Sequence, residues 1–210
     1  MTAVALAQRS ADPLWPQVDP AAYHGLSGEF VRIIEPHSEA DPIAIQAQLL
    51  TIFGNMIGRN AHYRVEGDRH YTNIFTSLIG NTSKARKGTS YGQTRRIFES
   101  VEADYFKNNV AHGLSSGEGL KFAVRDAVEK AKGKVADNGI EDKRLLVVEQ
   151  EFAQVLKVLQ REGNTLSPTI RCAWDTGNLR TLTKTDPIIA TGAHISIISH
   201  ITCDELKKHL

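Results

Sequence analysis

Three observations predict an α/β fold. Apolar runs of strand length end on glycine or polar residues, as in "RLLVVE" and "HISIISHIT". Stretches with helical apolar spacing alternate with them. One of the strands runs into a glycine-containing, lysine-bearing loop that opens a helix. The chain has 210 residues, enough for one domain with a sizeable core.

Residues 1–19 are rich in Pro and Ala and show no period, so they read as a flexible N-terminal tail. A helical N-terminal subdomain is expected over 20–60. In "DPIAIQAQLLTIFGNMIGRN", Asp41 caps and Pro42 opens a helix with Ile45, Leu49, Ile52, Phe53, Met56 and Ile57 at helical spacing. The remaining segment, 61–210, is expected to be the α/β core. It begins with "AHYRVEGDRHYTNIFTSLIG", a hairpin around Glu66-Gly67-Asp68 whose second arm runs into Leu78 and Ile79 and delivers the chain to Gly80. Ile97, Phe98, Val101 and Tyr105 then share one helical face.

A second strand is expected in "NNVAHGL", and a short helix through Phe122 and Val124. "EKAKGKVADNGIEDK" has no apolar period and reads as a surface loop. "RLLVVEQEF" is a buried strand ending on acids, followed by a helix bearing Phe152, Val155, Leu156 and Leu159. Ser167-Pro168 opens another helix with Ile170 and Trp174. The last part, from "NLRTLT" through "HISIISHIT", reads as a hairpin and then a short helix reaching Leu210.

Lys plus Arg number 25 against 24 for Asp plus Glu, so the overall charge does not advertise a nucleic-acid or membrane surface. Any DNA contact would have to be local. No run approaches the roughly 18 apolar residues of a membrane span. Cys172 and Cys203 lack CxxC spacing, which fits a reducing compartment, and a cytoplasmic location is expected. Eight histidines form neither HExxH nor a Cys/His cluster, which argues against structural zinc.

The loop "GNTSKARKGTS" carries the chemistry. A strand, a glycine-started loop with lysine and a helix N-terminus together hold anionic oxygens, with lysine reaching the outer phosphates. The spacing departs from GxxxxGK[ST]. Gly80 to Lys87 is one residue too long, Arg86 stands where the second glycine belongs, and Gly88 occupies the Ser/Thr slot before Thr89 and Ser90. Candidate nucleotide-contacting residues are Gly80, Asn81, Thr82, Ser83, Lys84, Ala85, Arg86, Lys87, Gly88, Thr89 and Ser90. The bland alternative is a basic turn exposed to solvent.

The strand ending in Glu149 and Glu151 offers a carboxylate for the water shell of Mg2+ or for an attacking water, unless both acids merely open the next helix. The strand "HISIISHIT" ends in Ser199, His200 and Thr202, groups suited to sensing an outer phosphate. A serine nucleophile in "GLSSGEG" lacks an ordered His and acid, so Ser115, Ser116 and Glu118 are expected to face the nucleotide or a bound strand instead.

With "YHGLSGEFVRIIEP", "ADPIAIQAQLLTIFGNMIGRN", "IGNTSKARKGTS", "GLSSGEGL", "LLVVEQEF" and "HISIISHIT" in that order, residues 22–210 resemble a family of helicase-like P-loop ATPases. It is a domain of unknown function carried by primase and replication proteins of plasmids, phages and integrative elements. The resemblance implies a RecA-like P-loop NTPase core, preceded by a helical segment and by a β-hairpin leading into the P-loop strand, that binds ATP with Mg2+. It implies Lys87 as the phosphate lysine, Thr89 or Ser90 as the metal-side hydroxyl, Glu149 as the metal-side acid, Glu151 as the water activator and His200 as a sensor. Relatives continue past the last strand, so the resemblance implies a C-terminally shortened core. Its expected partners are nucleotide, DNA, and another copy or a full-length relative, with no membrane.

Overall fold

The computed structural model describes residues 18–81, 86–130, 134–183 and 187–209. Helix α1 (Gly25–Ile34) leads to α2 (Pro42–Met56), where the Asp41 carboxylate accepts from the Ile43 N–H as the sequence predicts. Strands β1 (His62–Val65) and β2 (Asp68–Tyr71) form an antiparallel hairpin. Strand β3 (Phe75–Gly80) is separate from it, because Thr72 to Ile74 leave the ladder. Helices α3 (Lys87–Val101) and α4 (Ala103–Asn108) follow, broken at Glu102, so Tyr105 lies on α4 and not on the α3 face. Next come β4 (Val110–Ala111) and α5 (Gly117–Phe122).

The segment expected as a surface loop contains a small hairpin, β5 (Val128–Lys130) with β6 (Lys134–Asp137). The Arg125 guanidinium grips Asp137 at 2.6 Å, and the described β5 side chains are exposed, so no apolar period marked it. Strand β7 (Arg144–Glu149) precedes α6 (Phe152–Leu159) and α7 (Leu166–Asp175). The late hairpin is also not as expected. Its arms are β8 (Leu179–Arg180) and β9 (Ile189–Ala190), whereas β10 (His194–Thr202) leaves it for the main sheet and ends in α8 (Cys203–Lys207).

The main sheet has four parallel strands in the order β3–β10–β7–β4. Helices cover both faces, as an all-parallel sheet requires. Alternation along β7 divides the core: Leu145 and Val147 pack with Leu120, Val155, Leu166 and Ile195 on one face. Leu146 and Val148 pack with Ile52, Tyr91, Tyr105 and Ile198 on the other. This mixed α/β architecture is compatible with a RecA-like core. Helix α1 packs on α2 through Val31, Ile34 and Ile45, and α2 lies directly on the sheet beside α3, joining the 20–60 segment to the core.

The contact of α2 with the sheet is polar as well as apolar. Gln48, Thr51 and Asn55 are each fully buried. The Thr51 and Thr76 hydroxyls meet at 2.6 Å. Asn55 Nδ2 donates to the carbonyls of His194 at 2.9 Å and Leu145 at 3.1 Å and reaches Ser196 Oγ, while Oδ1 accepts from the Tyr105 hydroxyl at 2.6 Å. His194 Nε2 donates to the Gly54 carbonyl at 2.9 Å. Gly54 itself has no room for a side chain, since a Cβ there would fall on the Thr72 carbonyl oxygen.

Candidate nucleotide site at the carboxyl edge of the sheet

Because the four strands are parallel, their carboxyl ends share one edge, and β10 sits between the strands that carry the two main motifs. Thr202 is level with Gly80, and Ser199 is level with both Ser77 and Glu149. Glu149 is therefore two strands from the loop strand, about 9.6 Å in the sheet direction.

Lys87 spans the loop's two ends, its Nζ donating to the Gly80 carbonyl at 3.5 Å. Asn81 is exposed, while Thr82, Ser83, Lys84 and Ala85 lie outside the described residues. Arg86 precedes the first turn of α3 in the left-handed region, φ 50° and ψ 28°, without a side-chain cap. This conformation favours glycine, which is the residue a phosphate loop carries at that place. Arg86 also pairs with Glu39, both exposed. Lys87 is the first residue of α3, so its charge adds to the positive end of a 15-residue helix.

Thr89 and Ser90 separate clearly. Thr89 is exposed. Ser90 is fully buried, donates to the Lys87 carbonyl at 2.7 Å and accepts from Gln48 Nε2, which commits it to the α2–α3 contact. Gly88 is exposed, and a Cβ there would meet nothing.

Glu149 is 8% exposed and its Oε1 accepts from the Leu114 N–H at 2.6 Å. One oxygen thus fixes the segment after β4. Glu151 stands before α6, exposed, and makes no capping hydrogen bond. Glu149 is thus committed to the Leu114 N–H, whereas Glu151 holds the N-cap position of α6, where the helix dipole by itself favours an acid. Among the described residues no three His, Cys, Asp or Glu side chains gather as a metal cluster. A Mg2+ that arrives with phosphates needs only one or two protein ligands beside phosphate oxygens and waters; the Glu149 carboxylate at the end of β7 and the Thr89 hydroxyl in the first turn of α3 are oxygen donors of the right chemistry.

The polar end of β10 narrows to one residue. Ser199 donates to the Thr76 carbonyl at 3.3 Å, and Thr202 forms a reciprocal capping box with Glu205. His200 is 2% exposed, and among the described residues its Nε2 has no hydrogen-bond partner. Burial pushes its pKa down to about 4, and the nearby Lys87 charge adds to the shift. Because the folded-state value is below the ordinary 6.5, the unfolded chain binds the proton more readily. Stability is then fully present above about pH 6.5 and is lost as pH falls toward about 4. Lowering pH from 7 to 4.5 is expected to cost about 2 kcal/mol through this residue. Urea unfolding of His200→Gln should show a correspondingly flatter acid limb, and an unchanged limb would contradict the assignment. Burial depresses the His194 pKa too, so some acid sensitivity remains in the variant.

Sequence reasoning missed His112, which follows β4 and whose Nδ1 donates to the Val148 carbonyl at 2.6 Å. Its placement after a two-residue strand and before Gly113, at φ 79°, gave no periodic signal. Ser116 and Glu118, expected near the ligand, are used locally: Ser116 caps α5, and Glu118 accepts from the Thr165 hydroxyl at 2.8 Å. A cleft of about 810 Å³ adjoins Lys87, between the start of α2, the end of β3 and Cys203. Among the described residues no helix is long and apolar enough to cross a membrane. Neither a model of a known protein family nor a curated protein matches the chain.

Proposed function

We propose that the chain is an ATP-binding, ATP-hydrolysing helicase-like domain of mobile-element DNA replication, with a P-loop NTPase core. The observation that carries this reading is convergence on one sheet edge. The mouth of the Gly80–Lys87 loop, the Glu149 carboxylate and the buried Nε2 of His200, which has no partner among the described residues, all lie at the carboxyl ends of parallel strands. That edge is where ligands of open α/β sheets bind.

Lys87 leaves the Gly80 carbonyl for the outer phosphates, and the first N–H groups of α3 receive phosphate oxygens. A bound Mg2+ would supply charge neutralisation for the outer phosphates, and Thr89 and Glu149 are the residues that would hold it. Glu151, exposed before α6, orients the attacking water. His200 stays neutral at pH 7 and offers Nε2 to the terminal phosphate, so that loss of this phosphate is felt in the centre of the sheet.

The bond from the Leu114 N–H to Glu149 favours one second reading, a non-hydrolysing nucleotide-binding or regulatory module that pairs with a full-length ATPase. Phosphate-release assays separate the two. Hydrolysis predicts steady turnover that falls at least about tenfold in Glu151→Gln while ATP binding persists, the behaviour of a lost proton acceptor. Glu149→Gln keeps an acceptor for Leu114 and removes the charge, so it should weaken the Mg2+ dependence of binding without unfolding the chain. Binding without turnover in the wild type would establish the regulatory module instead.

A further inference from the structure

The β1–β2 hairpin is exposed over residues 61–70 and pairs mainly with itself. Residues directly opposite in an antiparallel ladder share a face. One face therefore carries His62 with Tyr71 and Arg64 with Arg69; the other carries Tyr63 with His70 and Val65 with Asp68. The first face has no carboxylate, and it sets two arginines directly across from each other, an arrangement that repels. Among the described residues neither arginine has an ion-pair partner, and Arg64 spends only its Nε, on the Glu66 carbonyl at 3.2 Å. At the far end of the face Arg59 lies 3.8 Å over the Tyr71 ring and is anchored to the Ala193 carbonyl at 3.0 Å.

Where β2 meets the end of α7 there is a cavity of about 380 Å³, lined by Arg69 and Tyr71 together with Trp174, Asp68 and Asp175. Trp174 is 49% exposed and rests edge-on against Phe75 at 5.0 Å. An aromatic ring with adjacent carboxylates suits a splayed base bearing amino groups, and two facing guanidinium groups suit a phosphodiester.

We propose that this arginine face and the adjoining cavity bind single-stranded nucleic acid, with phosphates on Arg64 and Arg69 and a base beside Trp174. A membrane surface fits less well, since the arginine face offers no aliphatic side chain to enter lipid. The site stands at the amino end of β3, the length of that strand or about 20 Å from Gly80, so it goes beyond the nucleotide reading and does not depend on it.

Fluorescence anisotropy with a labelled single-stranded oligonucleotide, without ATP, tests it. Affinity should fall with rising salt, and Arg69→Glu should lower it at least about tenfold. The same substitution replaces a repulsive cross-strand pair by an attractive one, so the melting temperature should stay the same or rise. Arg69→Lys should keep most of the affinity, and Trp174→Phe most of the stacking. A merely structural role for Arg69 predicts the reverse, lower stability with unchanged binding. Unchanged affinity in Arg69→Glu, or association with phosphatidylserine vesicles in place of the oligonucleotide, would overturn the proposal.

Discussion

Replacing Asn55 by alanine is expected to destabilise the protein by about 3 to 5 kcal/mol, the largest single effect on the fold. Its amide joins four elements: α2 carries it, β7 and β10 receive its N–H groups through the carbonyls of Leu145 and His194, and α4 donates to it through Tyr105. Alanine leaves the Tyr105 hydroxyl without its acceptor in a region where Tyr105 is 1% exposed, removes donors from two buried carbonyls and opens a void. Each unsatisfied buried group costs roughly 1–3 kcal/mol. Asn55→Asp should also be damaging, because it keeps the acceptor for Tyr105 but loses the donors and buries a charge. Chemical denaturation would check both. A loss under about 1 kcal/mol for the alanine variant would mean that water or a rearranged helix takes over these bonds.

The network around Asn55 explains which parts of the fold were legible in the sequence. Strand β7 could be read directly, because burial on both faces demands the continuous run Leu145 to Val148. Helix α2 was legible in extent, yet its apolar stripe gave only half of its packing. Phe53 on that stripe is 47% exposed, whereas Gln48, Thr51 and Asn55 are buried against α3 and the sheet. Polar residues at such positions look like a solvated face until their partners, far away in sequence, are known. Strand β10 could be recognised but not paired. Local hairpin logic joined it to the segment before it, while the parallel pairing to β3 and β7 depends on contacts across more than a hundred residues in the case of β3.

The candidate site was legible to a similar degree. The glycine loop, the acid-ended strand and the polar-ended strand were visible in sequence, and the sheet brings their ends to one edge. The roles within them were not visible. Ser90 could not be separated from Thr89 without the Gln48 contact, nor Ser199 and Thr202 from His200 without their backbone and capping bonds. The left-handed backbone at Arg86 was hinted at only by a missing glycine.

Lys87→Ala is expected to weaken ATP binding by about 1.5 to 3 kcal/mol, the worth of one charge-assisted hydrogen bond. That is roughly a ten- to hundredfold rise in Kd. The side chain is half-buried and its bond to the Gly80 carbonyl is at the long limit, 3.5 Å, so the melting temperature of the variant is measured beside its affinity. Lys87→Ala also removes the positive charge that helps to keep His200 neutral, which should raise the His200 pKa in the same variant. Retained stability with a raised imidazole pKa would show that the substitution acted at the site and not through unfolding. The most direct test of the nucleotide reading is titration calorimetry of the wild type and Lys87→Ala with ATP and Mg2+, with the melting temperature of each measured alongside. The account predicts saturable, Mg2+-dependent binding by the wild type that is weakened at least tenfold in an equally folded variant, in line with the loss of one charged contact. Absence of binding by the wild type, or equal affinity in the two proteins, would contradict it.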